Sequence, residues 1–160
     1  MKRRNILIIM KDNSGVLSKI SGLFQKRGIN IETITAGKTS EDRRVRMTIS
    51  GNWDEYTVNQ VISQVKKLYD VTMVRQFSDS SVERELALIK IGVNNENRSQ
   101  VVELTNLYRG NIIDTSKNNV IVELTGGRDK IEGYLEVASE FGVLEVARTG
   151  VTSMHRGLDL

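Results

Sequence analysis

Cysteine is absent from this 160-residue chain, which excludes a disulfide framework, thiol catalysis and most structural zinc sites. Histidine occurs once, at His155, so His-rich metal or catalytic constellations are excluded too. No long apolar run is present. The longest, Ile6 to Met10, is far short of a membrane span, and no apolar signal core follows the basic Lys2-Arg3-Arg4, so a cytoplasmic location is expected and no membrane partner. A one-sided charge is missing as well. The net charge is +3, with Lys and Arg mixed among Asp and Glu except at Lys2-Arg3-Arg4 and Arg43-Arg44-Val45-Arg46, which speaks against a nucleic-acid partner.

An internal duplication is present. Leu23 to Thr33, the end of a helix, a glycine and a strand, is echoed by Leu107 to Thr115. Met47-Thr48-Ile49-Ser50-Gly51 followed by Asp54 is echoed by Val122-Glu123-Leu124-Thr125-Gly126 followed by Asp129. Helical spacing marks Val16, Leu17, Ile20, Leu23 and Phe24, with Gly28 at the C-cap, and Val58, Val61, Ile62, Val65, Leu68 and Tyr69 after an Asp54 N-cap. Weaker helical patterns contain Val101, Leu104 and Tyr108, then Ile131, Leu135 and Ala138. β-branched runs predict strands over 6–10, 29–36, 45–50 and 71–77, then over 86–92, 112–116, 120–124 and 143–148.

Each half therefore reads strand, helix, strand, strand, helix, strand. The expected fold is α+β: two ferredoxin-like βαββαβ domains, over residues 1–77 and 84–160, joined by a polar linker at 78–83. Domains this small have marginal cores, so a homodimer through the first domain is expected.

The fold leaves function open. RNA binding needs stacking aromatics on the central strands, and Ile6 to Met10 and Val45 to Ser50 carry none. Metal transfer needs a Cys pair. An acylphosphatase-like site asks for an arginine in the first loop, and Lys11 with Asn30 imitates that pattern only loosely. His155, in a tail without a nucleophile elbow, reads as a solvated or interface residue, and Trp53 as a turn residue partly covering the second helix. No pair of carboxylates is spaced for acid–base work, so no catalytic residue is assigned and no metal site.

What remains is the segment Lys11 to Ser18. A strand that turns at Gly15 into a helix directs the unpaired N–H groups of the first helical turn outward, at the positive end of the helix dipole. Asp12, Asn13 and Ser14 can meet an ammonium group, so the loop suits an amino acid effector. The second repeat has Asn94-Asn95-Glu96-Asn97-Arg98-Ser99 at the equivalent place, without the glycine. Asn30, a polar residue in the predicted second strand, is expected close to the first loop.

Residues 13–18, 23–35 and 46–49 resemble an ACT domain, specifically that of the regulatory small subunit of acetolactate synthase (acetohydroxyacid synthase). Val82 to Leu86, Tyr108 to Asp114, Glu123 to Gly126 and Glu145 to Val151 agree with the same family. The resemblance implies a non-catalytic subunit without a cofactor of its own. Its partner would be the catalytic large subunit, which carries thiamine diphosphate, Mg²⁺ and FAD; this chain would raise its activity and confer feedback inhibition by valine in branched-chain amino acid biosynthesis. A free-standing ACT-type amino acid sensor is the alternative. The resemblance further implies an effector site at a dimer interface, built from Asp12, Asn13, Ser14, Gly15, Val16, Leu17, Asn30 and Ile31. Asp12 stands where the family usually carries an amide.

Overall fold

A computed structural model describes residues 2–157. They fall into two compact units, 2–82 with 151–157, and Glu83–Gly150. The order in the first is β1 (Lys2–Lys11), α1 (Val16–Gln25), β2 (Thr33–Lys38), β3 (Arg44–Trp53), α2 (Glu55–Val65) and β4 (Val71–Gln76). The second repeats it with β5 (Val82–Gly92), α3 (Arg98–Leu107), β6 (Asn111–Thr115), β7 (Asn119–Gly126), α4 (Arg128–Ala138) and β8 (Val143–Arg148). The two antiparallel sheets run β2-β3-β1-β4 and β6-β7-β5-β8. Both units are ferredoxin-like, as the repeat predicts.

Alternation along β1 divides its side chains between two environments. Ile6, Ile8 and Met10 join Met47 and Ile49 of β3, Val16, Ile20 and Phe24 of α1, and Val58, Val61 and Val65 of α2 in one core. Full burial of each such side chain contributes about 1.5–3 kcal/mol. The second core is built alike, from Ala87, Ile89 and Ile91 with Val120, Val122, Leu124, Val101, Ile131 and Tyr134. Asp54 caps α2 as its position implies: Thr57 N donates to Asp54 Oδ1 over 2.7 Å. Gly28 takes the left-handed conformation past α1, with φ of 63°.

Four expectations are corrected. The tail belongs with the first unit and not the second, and it contains a short strand, β9 (Thr152–Met154). Arg46 Nη2 donates to Ser153 O over 2.8 Å, and Arg156 Nε to Ser80 O over 2.9 Å, which tie residues 153–156 to the first unit. His155 is half-buried, stacked on Phe77 with ring centroids 4.7 Å apart. Trp53 ends β3 in the core, its ring 5.7 Å from that of Phe24, so it packs on α1 and is no surface turn residue. Asn30 precedes β2, which begins only at Thr33, because Ile29 N still donates to Phe24 O as part of the helix ending.

Candidate functional site

Lys11 is the last residue of β1 and Val16 the first of α1, which leaves four residues to reverse the chain. Lys11 N donates to Asp70 O and Asp12 N to Arg43 O, both over 2.8 Å, so the loop starts pinned between β4 and β3. Gly15 completes the turn with φ of 83°, and a Cβ there would meet nothing within 4 Å. The glycine is required by backbone conformation, not by space. Among the described residues, the N–H groups of Gly15, Leu17 and Ser18 have no backbone acceptor, and no side chain caps α1. These donors are open to an anion.

The second unit solves the same problem differently. Asn94 Oδ1 accepts from Glu96 N at 2.8 Å and Asn97 N at 2.9 Å, and Asn97 Oδ1 accepts from Asn94 N at 2.8 Å. Of the donors open in the first loop, only that of Gly15 has a filled counterpart, Asn97 N; no side chain caps the first turn of α3 either.

Side chains around the first loop have distinct fates. Asn13, although exposed, donates from Nδ2 to Asp70 Oδ1 over 2.9 Å, while Lys19 Nζ lies 3.2 Å from Asp70 Oδ2. The Asn13 hydrogen bond and then Lys19 hold the Asp70 carboxyl below the usual carboxylate range. Sequence reasoning missed Asp70, whose anchoring role only the tertiary fold reveals. Val16 is buried in the core, so only its N–H faces the loop, whereas Leu17 is about half exposed beside it. Ser14 and Asp12 are exposed. Asp12 lines an open depression of about 450 Å³ with three cations, Lys38, Arg43 and Arg44, and two further carboxylates, Glu41 and Asp42, which pair with Arg44 and Arg43.

Asn30 and Ile31 are not beside this loop. α1 runs back from the end of β1, so the chain leaves it at the opposite end of the sheet. Trp53 Nε1 donates to Asn30 O over 2.8 Å, and Trp53 pairs with Lys2, at the start of β1. Lys11, beside Asp12, pairs with Arg44. The ten-residue β1 is roughly 30 Å long at about 3.3 Å per residue, and it separates the two groups. Asn30 is exposed, and Ile31 packs half-buried against the core.

Among the described residues no cluster of His, Asp or Glu could hold a metal ion, and no helix is long and apolar enough to cross a membrane. A ferredoxin-like unit with an uncapped glycine turn at its first helix, followed by a second such unit, is consistent with the ACT-containing class. Residues 6–73 match the model of the AHAS small subunit-like ACT domain, and residues 84–157 that of the small subunit of acetolactate synthase. The chain is 41% identical over 155 residues to the probable acetolactate synthase small subunit of Archaeoglobus fulgidus, covering 97% of this chain and 98% of that protein. It is also 41% identical over 157 residues to the Mycobacterium bovis acetolactate synthase small subunit, covering 98% and 94%. The crystal structure of the acetolactate synthase small subunit from Thermotoga maritima superposes with a TM-score of 0.91 at 32% identity, over 98% of this chain and 99% of that one. The chain belongs to the acetolactate synthase small subunit family.

Proposed function

We propose that this chain is the regulatory subunit of an acetolactate synthase. It activates the catalytic large subunit and mediates feedback inhibition by valine or a related branched-chain amino acid. Thiamine diphosphate, Mg²⁺ and FAD act on the large subunit, and this chain contributes binding alone. The observation that carries the reading is the open glycine turn at Gly15 on a chain that belongs to the acetolactate synthase small subunit family; Asp12 and Asn30 stand at opposite ends of β1. A site that uses both takes its loop from one chain and its Asn30 from a second copy.

The edge strand β2 offers the geometry for that assembly. Among the described residues it pairs only with β3, and it exposes Ile34 and Ala36 without a central charge or proline to discourage pairing. Antiparallel pairing of two β2 strands about a two-fold axis sets the Asn30–Ile31 approach of one copy against Lys38 of the other, beside Asp12. There the N–H groups at Gly15 and Leu17 hold the effector carboxylate. Asp12 and the Asn30 side-chain carbonyl accept from its ammonium, and Leu17 covers its branched side chain. The effector then favours one dimer arrangement by its differential affinity for the two.

The test is acetolactate formation by the catalytic subunit with and without this chain across a valine series, beside calorimetric titration of the chain with valine, leucine and isoleucine. Stimulation reversed by at least one of these amino acids supports the reading. Binding without any effect on the synthase would make the chain a free-standing sensor, and no binding to any of the three would end the effector assignment.

A further inference from the structure

The face of the first sheet turned away from α1 and α2 carries a cavity of about 440 Å³, within the range of small-ligand sites. It follows from the alternation of β1: Ile6, Ile8 and Met10 enter the core, so Leu7 and Ile9 face the other side and join Met73 of β4 in lining the cavity. Met154 of the returning tail adds a fourth apolar surface. Two guanidinium groups, of Arg44 and Arg46, complete the lining that matters.

These cations differ. Arg44 Nη1 is paired with Glu41 Oε2 over 2.9 Å. Arg46 donates from Nη2 to Ser153 O, its guanidinium carbon lies 5.9 Å from the centre of the Phe77 ring, and its Nε is buried without an acceptor. Among the described residues no carboxylate pairs with Arg46. Burial pulls its pKa below the ordinary arginine value, a sign that its charge has lost water without gaining an anion.

We propose that this cavity is a second ligand site of the chain. It takes a small carboxylic acid with an apolar body, its carboxylate on Arg46 and its body on Leu7, Ile9 and Met73. An unpaired, partly desolvated arginine beside an apolar floor selects an anion of mixed character, because the fork of guanidinium N–H groups matches a carboxylate and the floor rewards hydrocarbon. A bare phosphate leaves the floor uncovered. An amino acid fits less well, because its ammonium group meets two arginines and the carboxylate in the lining, Glu41, is already held by Arg44. The β2–β3 hairpin lies between this cavity and the depression at Asp12, and Thr39, Ser40, Glu41 and Arg44 line both. Residues 12–17 do not line the cavity, so the site adjoins the proposed effector loop without using its residues.

The experiment is calorimetric titration of the full chain with isovalerate, and with isovaleramide as its neutral isostere. Saturable binding of the acid and not the amide is expected, weakened at least tenfold by Arg46→Gln and by Met154→Asp, and retained in Gly15→Asp. Met154 is exposed, so its substitution leaves folding intact and keeps the test decisive should Arg46→Gln loosen the tail. Absence of saturable binding, equal binding of acid and amide, or isovalerate affinity unmoved by Met154→Asp would overturn the proposal. Loss of isovalerate binding in Gly15→Asp would also overturn it, placing the acid in the effector loop; retention of isovalerate with loss of valine separates the two sites.

Discussion

The side-chain amide of Asn13 donates to Asp70 Oδ1 over 2.9 Å, which fastens the turn after β1 to the residue that leads into β4. With Lys19 on the other carboxylate oxygen, Asp70 holds both the loop and the first turn of α1. The open N–H groups at Gly15 and Leu17 are thus presented by a braced loop.

Because Asp70 is held below the usual carboxylate range in the fold, its contribution is complete above the ordinary pKa of an unfolded aspartate. It is lost as pH falls through the lower folded value. An Asp70→Asn chain is therefore expected to unfold at lower urea than the parent at neutral pH. The gap should narrow as pH falls below the ordinary aspartate value of about 4, where the parent carboxyl becomes protonated as well. Urea midpoints of both chains across that range check it, and a gap independent of pH would assign the effect to packing.

A shared site makes a prediction that a single-chain site does not. Gly15→Asp and Asn30→Ala should each abolish or strongly weaken effector binding in a homodimer. A dimer mixed from the two variants holds one doubly damaged site and one intact site, so it should recover up to half the binding capacity at parental affinity. Calorimetry on co-expressed, differently tagged chains measures this, and zero recovery would show that the loop and Asn30 do not meet across two copies.

Trp53 is the one tryptophan, buried against Phe24 and bonded to Asn30 O. Its emission should be blue-shifted and should change when an effector reaches Asn30. Trp53→Phe should cost about 1–2 kcal/mol in stability for the lost hydrogen bond and reduced packing. It should also weaken effector binding several-fold, because the Asn30 backbone loses its tether. Gly51→Ala should disturb the same place, since a Cβ at Gly51 collides with the Trp53 ring.

In the second unit, Arg148 bridges two carboxylates: it contacts Glu85 Oε2 through Nη2, and Nη1 donates to Glu132 Oε1 over 2.7 Å. Glu85 is only 3% exposed. Arg148→Ala should destabilise the chain, because it takes the ion-pair partner from a buried carboxylate, and Arg148→Met with Glu85→Leu should regain most of that. Urea denaturation of the single and double variants tests it. Equal losses in both would assign the cost to the arginine's packing alone.

Periodicity carried most of the fold. The four helices and most of the strands lie close to where apolar spacing and β-branched runs place them, β2 excepted, which starts four residues later than expected. β1 extends to Lys2 and Arg3, polar residues held by pairing with Trp53 and Asn52, which composition does not signal. β9 is three residues long, without alternation, and the tail around it is held through Arg46 and Phe77, contacts distant in sequence. The loop at Gly15 was legible from local chemistry. The position of Asn30 was not, since it depends on α1 carrying the chain back along the whole length of β1.

The return of the tail gives the second unit the character of an insertion. The chain enters it on β5 and leaves it after β8, and Thr149 N donates to Leu86 O over 3.1 Å where the two strands run side by side. Entry and exit are adjacent, so a short linker replacing 83–150 should leave the first unit continuous with the segment that lines its open face. A fragment cut at residue 77 is a different object: it removes the main-chain acceptor of Arg46 and bares a sheet face that the intact chain keeps partly clothed.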